Sequence, residues 1–460
     1  MVIKMSLELP IVVYGNGVIF QHCFVSLTHV FGDSVFTTIF RMAILLGGVA
    51  AIFSAITQRD FMQCVKWFGR YYLVYCVLFS PKLNVYIDDR FAEQKFNVDG
   101  FPLGLAIFTS YATTIGDALT RLVEKNLNFA ERFSELNYSR GGMMLASRML
   151  LSMSQWQAPL QFGANLQSFI KNCSQAAPDE ILNSADLWHT IMSKVSRAGT
   201  FTYNGMITAC VNEVGDKGGQ LNVDLKAAVD QAQEKYSKFL FPWASDPQAA
   251  FKHALFSSYT YLFDVASDLG QMEQITRMVM QQTLLLNIIQ TEIVNLPLLK
   301  PLASFGYKIV WWLPLAKNFI EIIVYASFMF VVLLALFPQG TAILKQYVLL
   351  LLWLQLWPPL YVMVNYICSV CAKSYMLGAN LSLQFLSKLL QVNSDVIALA
   401  GYLSLITSVL TAILMSGIVT MFVQWFKQEV TLTNAAATVE APPTGLNNNV
   451  SMFSSQNHQL

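Results

Sequence analysis

The sequence predicts an all-α polytopic membrane protein with about five transmembrane helices, two before and three after a mainly helical periplasmic domain. Two observations favour this fold class. Apolar residues make up 55% of the 460 residues and charged residues only 12%, whereas a soluble domain carries about 25% charged residues. Of the 57 charged side chains, 39 lie between Pro81 and Lys300, so apolar segments flank one large water-exposed region.

Residues 1–34 are predicted to form an amphipathic segment in the membrane interface. The stretch 9–31 is apolar on average but is interrupted by Asn16, Gln21, His22 and His29. Such interruptions favour a helix that lies on the bilayer over a sixth span.

Residues 35–80 are predicted to form a transmembrane hairpin. A helix needs about 20 apolar residues to cross ~30 Å of hydrocarbon, and residues 35–56 and 62–79 approach that length. The connecting segment carries Arg59, Lys66 and Arg70, and basic loops remain in the cytoplasm. This orientation places the N-terminus and the charged region on the opposite side of the membrane, which in a Gram-negative bacterium is the periplasm.

Residues 81–300 are predicted to form the soluble periplasmic domain. One apolar helical face, with intervals of three and four residues, consists of Leu105, Phe108, Ala112, Ile115, Leu119 and Leu122. A second helix is expected after Asp246-Pro247, because an aspartate caps a helix and a proline suits its first turn. Its apolar face consists of Phe251, Leu255, Leu262, Val265 and Leu269. The stretch 199–223 is rich in Gly, Thr and Asn, which indicates irregular structure or a small hairpin.

Residues 301–427 are predicted to contain three more spans, at 322–337, 347–370 and 396–425. Pro358 and Pro359 lie in the middle of the second of these spans and are expected to kink it. The last stretch is longer than one perpendicular crossing, so it is expected to tilt, protrude or break near Gly417. Residues 428–460 are polar and are expected to form a disordered tail.

Two cysteines of the charged region, Cys173 and Cys210, are a disulfide candidate. In an oxidising compartment a bridge that closes a loop of this length contributes roughly 3 to 4 kcal/mol in the chain-entropy model. The alternative is two unrelated buried thiols. Cys368 and Cys371 form a Cys-x-x-Cys in an apolar helix, where we expect them to act as small apolar residues.

The sequence predicts no enzymatic activity, no metal and no cofactor. It contains no P-loop, no Gly-x-Gly-x-x-Gly, no His-Glu-x-x-His and no Gly-x-Ser-x-Gly. The net charge of +1 argues against nucleic-acid binding, which normally requires a basic face. Lys317 and Glu321 interrupt the apolar sequence after residue 316. Arg41 and Glu321 are placed at span ends, so the spans are expected to lack a buried ionisable network.

Small residues recur at four-residue spacing in two spans and are predicted to pack helices together. The first row is Gly47, Ala51 and Ala55, and the second is Ala400, Ser404, Ser408 and Ala412. Small side chains let helix backbones approach closely in a membrane. The alternative is the ordinary composition of membrane helices.

Several stretches resemble the membrane region of the TraG-type conjugal transfer and mating-pair stabilisation proteins. The most specific resemblance is a Trp-Leu-Gln-x-Trp-Pro-x-Leu-Tyr stretch that includes Trp353, Gln355, Trp357, Pro358 and Tyr361. Further similar stretches are Pro102-Leu103-Gly104, Tyr138-Ser139, Asn172-Cys173 and Ala400-Gly401-Tyr402. Members of this family continue into a large C-terminal domain linked to mating aggregates, whereas this sequence stops about 35 residues beyond Trp425. A role in recognising the recipient is therefore not expected of this sequence.

This resemblance implies a polytopic inner-membrane subunit of an F-like type IV secretion system. The expected function is that of a scaffold and channel component that supports transfer of DNA or protein. The expected partners are other type IV secretion subunits, further copies of the same chain and the lipid bilayer, without sequence-specific nucleic-acid binding. The alternatives are a small-molecule permease, which needs polar residues converging on broken helices, and a membrane sensor with a periplasmic ligand-binding domain.

Overall fold

The computed structural model describes residues 9–59, 61–79, 81–127, 129, 131–153, 156, 158–211, 219–242, 244–265, 269–293, 301–337, 340–378, 382 and 391–416. These residues are mostly helical. The predicted tail 428–460 and the part of the last predicted span beyond Ser416 lie outside them. The chain divides into two compact units, Met1–Thr411 and Ala412–Leu460, and the described part of the second unit is helical through Ser416.

Helices predominate in every part of the chain that the structure describes, and two groups of short strands interrupt them there. The first third contains β1 (Leu9–Val13), α1 (Gly17–Gly32), α2 (Ser34–Gln58), α3 (Met62–Tyr71), a π-helix (Tyr72–Phe79), β2 (Lys82–Asp89), β3 (Gln94–Pro102) and α4 (Leu103–Asn126). The middle contains a 3-10 helix (Glu131–Leu136), α5 (Tyr138–Gly141), α6 (Leu145–Met153), α7 (Leu160–Cys173), α8 (Pro178–Asn183), α9 (Leu187–Ser193), β4 (Thr200–Tyr203), β5 (Met206–Ala209), α10 (Gln220–Leu240) and α11 (Pro247–Leu262). The last part contains a 3-10 helix (Leu269–Gln271), α12 (Met272–Ile293), α13 (Pro301–Ala326), α14 (Phe328–Ala335), α15 (Gly340–Gln355), α16 (Trp357–Met376) and α17 (Gln391–Ser416).

The fold is not all-α, because the N-terminal segment forms a sheet with a distant hairpin. β1 pairs in parallel with β2, and β2 pairs antiparallel with β3. The segment 9–31 is therefore a strand followed by a helix instead of one interfacial helix. Ile11 and Val13 are completely buried, so the apolar side chains that suggested contact with lipid cover the inside of a sheet.

Among the described residues, four helices are long and apolar enough to cross a membrane: Ser34–Thr57, Phe305–Ala335, Gly340–Met376 and Gln391–Ser416. They correspond to the first, third, fourth and fifth predicted spans. The second predicted span, 62–79, is helical as α3 and the π-helix but is not one of the four. The spans at Phe305–Ala335 and Gly340–Met376 contain 31 and 37 residues, which is more than the ~20 that one crossing requires.

Two local predictions match the structure closely. Asp246 caps α11 by accepting hydrogen bonds from the backbone N–H groups of Gln248 and Ala249, at 3.0 and 3.1 Å, and Pro247 is the first residue of the helix. The helix ends at Leu262, so its predicted apolar face is shorter than expected. The glycine-rich stretch contains the hairpin β4–β5, whose turn residues Asn204 and Gly205 both have positive φ, as a type I′ turn requires.

The buried side chains form two cores. One core joins the three-stranded sheet to α1, the first half of α4, α14 and α15. The other joins the domain around α6, α10, α11 and α12 to α16 and the first turns of α17. The two cores explain the excess length of the apolar helix Gly340–Met376, because its first part, α15, is buried in the first core and its second part, α16, is buried in the second.

Candidate functional site

The most unusual site in the structure is a buried cluster of charged and polar groups on α13, within the apolar helix Phe305–Ala335. The Lys317 ammonium lies 2.6 Å from Oε2 of Glu321, and the two side chains are 4% and 0% exposed. Oε1 of Glu321 accepts hydrogen bonds from the Tyr325 hydroxyl and from Nε2 of Gln355. Both carboxylate oxygens are therefore bonded to protein donors, and the ammonium neutralises the charge.

This cluster contradicts the expectation that the spans lack a buried ionisable network, because Lys317 and Glu321 lie within the apolar helix Phe305–Ala335 and both are buried. The two residues are one helical turn apart, and this i, i+4 spacing was the sequence signal that could have identified the pair. What the sequence did not reveal is Gln355, which reaches Glu321 from α15. Gln355 belongs to the family-like stretch, and the structure gives it a definite contact.

The cluster fixes three helices at one level of the molecule. Gly116 of α4 lies against Gln355, and a Cβ atom at position 116 would come within 2.8 Å of the Gln355 Cβ. A larger residue would separate α4 from α15. The helices also break next to the cluster, since α13 ends at Ala326 and α15 ends at Gln355.

A chain of polar contacts leads from this level to the surface. Nδ2 of Asn318 donates to the Tyr14 carbonyl at 3.0 Å, and the Tyr14 hydroxyl donates to Oδ1 of Asp117 at 3.0 Å. Asp117 in turn pairs with Arg90 and Arg121, at 3.0 and 2.7 Å. The loop after β1 is thereby tied both to α13 and to α4.

At the surface Asp117, Arg90 and Arg121 line a cleft of about 430 Å³, whose side chains carry charges of both signs. Burial lowers the pKa of the Arg90 guanidinium, but its hydrogen bond and charge interaction with Asp117 outweigh burial and raise the pKa overall. Burial also raises the pKa of the Tyr14 hydroxyl, and the Asp117 charge adds to this effect. Asp89 accepts hydrogen bonds from the N–H groups of Gly15 and Gly17 and so holds the start of α1.

A second buried charge lies on α6. The Arg148 side chain stacks on the Trp311 ring, 3.6 Å from its centroid, and Nη1 donates to the Met143 carbonyl at 3.2 Å. No carboxylate pairs with it among the residues that the structure describes. Burial lowers the pKa of Arg148 to about 10.

The family-like residues surround the junction of α15 and α16. Trp353 and Trp357 pack edge to face with ring centroids 5.1 Å apart, and Trp357 packs against Tyr361 at 6.2 Å. Pro358 and Pro359 lie in the first turn of α16, where a missing N–H leaves no helical hydrogen bond unmade. Leu356, the one irregular residue of the apolar helix Gly340–Met376, lies two residues before Pro358, in the region where the sequence predicted a kink.

The first row of small residues, on α2, packs against other helices of the same chain. Gly47 is in close contact with the Leu336 carbonyl and with Trp67, and a Cβ atom there would lie 2.7 Å from that carbonyl oxygen. Ala51 is buried and Ala55 is half-buried.

In the second row the burial decreases along the helix. Ala400 and Ser404 are completely buried, Ser408 is half-buried and Ala412 is exposed. The closest backbone approach lies beside the row, where a Cβ atom on Gly401 would come within 2.4 Å of the Gly306 carbonyl oxygen.

The two cysteines of the charged region are joined in the structure. Cys173 at the end of α7 and Cys210 after β5 form a disulfide with Cα atoms 5.7 Å apart. Gly199 lies against it, and a Cβ atom at that position would be 2.7 Å from the Cys210 sulfur. Cys368 is buried and Cys371 is half-buried, and both are free. The described residues contain no group of three or more His, Cys, Asp or Glu that could hold a metal.

Comparisons with known proteins agree with the resemblance in the sequence. The family model for the N-terminal region of TraG-like proteins matches residues 11–437. The protein TraG of Escherichia coli (strain K12) is 24% identical over 419 residues, which cover 84% of this chain and 43% of that protein. The chain thus spans less than half the length of this curated relative. No solved structure matches significantly.

Proposed function

Since this chain belongs to the family of TraG-like proteins, over their N-terminal region, we propose that it is an inner-membrane scaffold and channel component of a type IV secretion apparatus for conjugation. Membership of the family links the chain to conjugal transfer. The arrangement of the helices and the two cores supports the finer role. We also propose that the protein acts through contacts and not as an enzyme.

The observation that carries the proposal is that apolar spans and the large domain share one core. Tyr361 and Cys368 of the span Gly340–Met376 are completely buried with domain residues such as Leu255. Lys373, near the end of α16, pairs with Asp264 after α11 at 2.7 Å. A domain joined to membrane helices in this way moves with them as a unit, which is what a scaffold between membrane and periplasm requires.

Strand pairing supports the proposed topology of two spans before the domain. β1 precedes α2 and β2 follows the π-helix, and strands that pair lie on one side of a membrane. The chain between them must then cross the bilayer an even number of times. If α2 crosses, the weaker segment 62–79 must cross back.

The basic loop lies next to the turn between the next two spans. The Arg70 guanidinium donates to the Phe337 carbonyl at 2.6 Å, and the Trp67 indole N–H donates to the Leu336 carbonyl at 2.8 Å. By the preference of basic residues for the cytoplasm, we assign both loops to that side and the sheet and the large domain to the periplasm.

An uncovered apolar face supports assembly with further copies or other subunits. On α4, Tyr111, Ile115 and Leu122 are 65%, 48% and 57% exposed. Ile115 and Leu122 belong to the apolar stripe predicted from the sequence, whereas the buried face of the helix carries Thr113 and Asp117. The first half of the stripe is buried through Leu105 and Ala112, and a single chain leaves its second half open to a partner.

The permease alternative has one observation in its favour, the polar cluster beside two helix breaks. However, both oxygens of Glu321 are bonded to donors of the protein itself and the carboxylate is completely buried. The cluster therefore offers no open acceptor to a solute, and we prefer the scaffold.

The topology is tested by fusing alkaline phosphatase, which is active only in the periplasm, at three positions. We expect activity after Asp99 and Asp186 and none after Arg59. The reverse pattern would invert the assignment.

The function is tested by expressing the chain in a donor whose own TraG-like gene has been deleted, and by measuring transfer frequency and co-purification. We expect other secretion subunits to co-purify with the chain and a photo-crosslinker at Ile115 to capture one of them or a second copy. A crosslinker at exposed Lys238 of α10 is the control. Equal capture at both positions, or none in an active strain, would contradict the assembly role.

A further inference from the structure

A groove of about 480 Å³ opens where α1 meets α2, against α14. Its walls are apolar: Val35, Phe36 and Ile39 come from the first turns of α2, and Met329 and Leu333 come from α14. The volume lies within the range of about 300 to 1,000 Å³ that is usual for sites that hold a small ligand.

The groove has a polar end. His29 at the end of α1 and Asp33 between the two helices line it there, and both are exposed. Asp33 caps α2, with Oδ1 accepting from the Val35 N–H at 2.6 Å. The apolar residues of α2 follow Asp33 along the helix, so the site is polar at the corner and apolar beyond it.

We propose that this groove binds one acyl chain of a membrane phospholipid with an amine headgroup, of the phosphatidylethanolamine class. The walls belong to two helices that are apolar enough to cross a membrane, and Val35 and Ile39 are 64% and 47% exposed. The surrounding medium is then hydrocarbon, and an acyl chain is the apolar ligand at hand.

The headgroup follows from charge complementarity at the polar end. The Asp33 carboxylate matches a cationic ammonium, and the His29 ring supplies an N–H donor for the phosphate. A purely anionic headgroup such as that of phosphatidylglycerol would place its charge beside Asp33 without a cation to balance it. The inference needs α2 to lie in a bilayer, but it does not depend on a role in conjugation.

The test uses the full chain, reconstituted in nanodiscs that contain phosphatidylethanolamine and phosphatidylglycerol in equal amounts. After transfer to a mild detergent, native mass spectrometry counts the lipids that each chain retains. We expect one phosphatidylethanolamine per chain. Replacing the carboxylate by Asp33→Asn keeps the helix cap and should reduce the preference for that lipid about fivefold, the size of an exposed ion-pair contribution.

Two tryptophan substitutions on α2 locate the site. Ile39→Trp fills the groove and should abolish retention of the lipid. Val49→Trp is the matched control, because Val49 is also apolar and is 65% exposed on the same helix but does not line the groove. Equal retention of both lipids by the wild type would refute amine recognition, and an unchanged spectrum of Ile39→Trp would refute the location. Loss of DNA transfer in any variant has no bearing on this outcome.

Discussion

Removal of the Glu321 carboxylate is expected to be among the most destabilising single substitutions in this protein. Glu321→Leu leaves the Lys317 ammonium buried without a counter-charge, at 4% exposure. Breaking a buried ion pair by removing one partner costs about 3 to 5 kcal/mol. The substitution also orphans the Tyr325 hydroxyl and the Gln355 amide, at roughly 1 to 3 kcal/mol for each donor.

The double variant separates the ionic contribution from the rest. Lys317→Met alone leaves a buried carboxylate that keeps two neutral donors, and we expect it to cost about 3 kcal/mol. Lys317→Met combined with Glu321→Leu removes both charges, so only the two orphaned donors remain, at about 2 to 6 kcal/mol in total. The double variant should therefore be more stable than Glu321→Leu by about 3 to 5 kcal/mol, and the losses of the two single variants should sum to more than the loss of the double variant.

The measurement is the free energy of unfolding of the purified chain in mixed micelles, followed by circular dichroism, with the amount in the membrane as a second readout. Glu234 and Lys238 of α10 are the matched control, because they form an i, i+4 pair at 2.7 Å that is exposed to solvent. The same double substitution there should change nothing measurable. If the losses of the two single variants at the buried pair simply added in the double variant, the pair would not be interacting and the assignment of the cluster would be wrong.

Three other predictions test the disulfide, the packing of the last span and the isolated arginine. Alkylation before and after reduction should differ by two thiols, at Cys173 and Cys210, and full alkylation without reduction would exclude the bridge. Ser404→Leu places a larger side chain against the buried Met143 and should cost about 1 to 3 kcal/mol, which lowers the amount of protein and its transfer frequency. Leu405→Ile, at an exposed position of the same helix, should have a mild effect. Equal effects of the two variants would mean that the row of small residues reflects ordinary composition. Burial lowers the pKa of Arg148 to about 10 from an ordinary 12.5, so the cost of its charge is present in full at pH 7 and falls as the pH rises above 10. Arg148→Met should accordingly raise Tm at pH 7, by an amount that shrinks above pH 10, and a lower Tm at pH 7 would contradict the reasoning.

The features that the sequence predicted well depend on residues close together in the chain. A run of apolar residues is enough to identify a helix that can cross a membrane, since crossing depends on length and hydropathy. The cap of α11 at Asp246-Pro247 is also local, because a capping carboxylate reaches N–H groups only two or three residues away, and so is the small hairpin expected within 199–223. The resemblance to the family was also local, because its most specific part is a short stretch of residues around Trp357.

Other features depended on partners far along the chain. The residues of β1 are apolar and only five in number, and nothing within them distinguishes a buried strand from a membrane helix. Their pairing with β2, more than 70 residues later, decides the matter and with it the even number of crossings. The predicted stripe on α4 is buried only in its first half for a related reason, since periodicity identifies a helical face but not the element that covers it.

The charged cluster shows the same division between sequence and tertiary structure. The sequence by itself determined that Lys317 and Glu321 lie one turn apart on an apolar helix, and this geometry allows an ion pair. Only the tertiary structure decided that the pair is buried, because burial requires α4 and α15 to close around it and Gln355 to reach Glu321 across 34 residues of sequence. The physical reason is that secondary structure and hydropathy are fixed by neighbours in the chain, whereas desolvation of a charge is fixed by whatever packs against it.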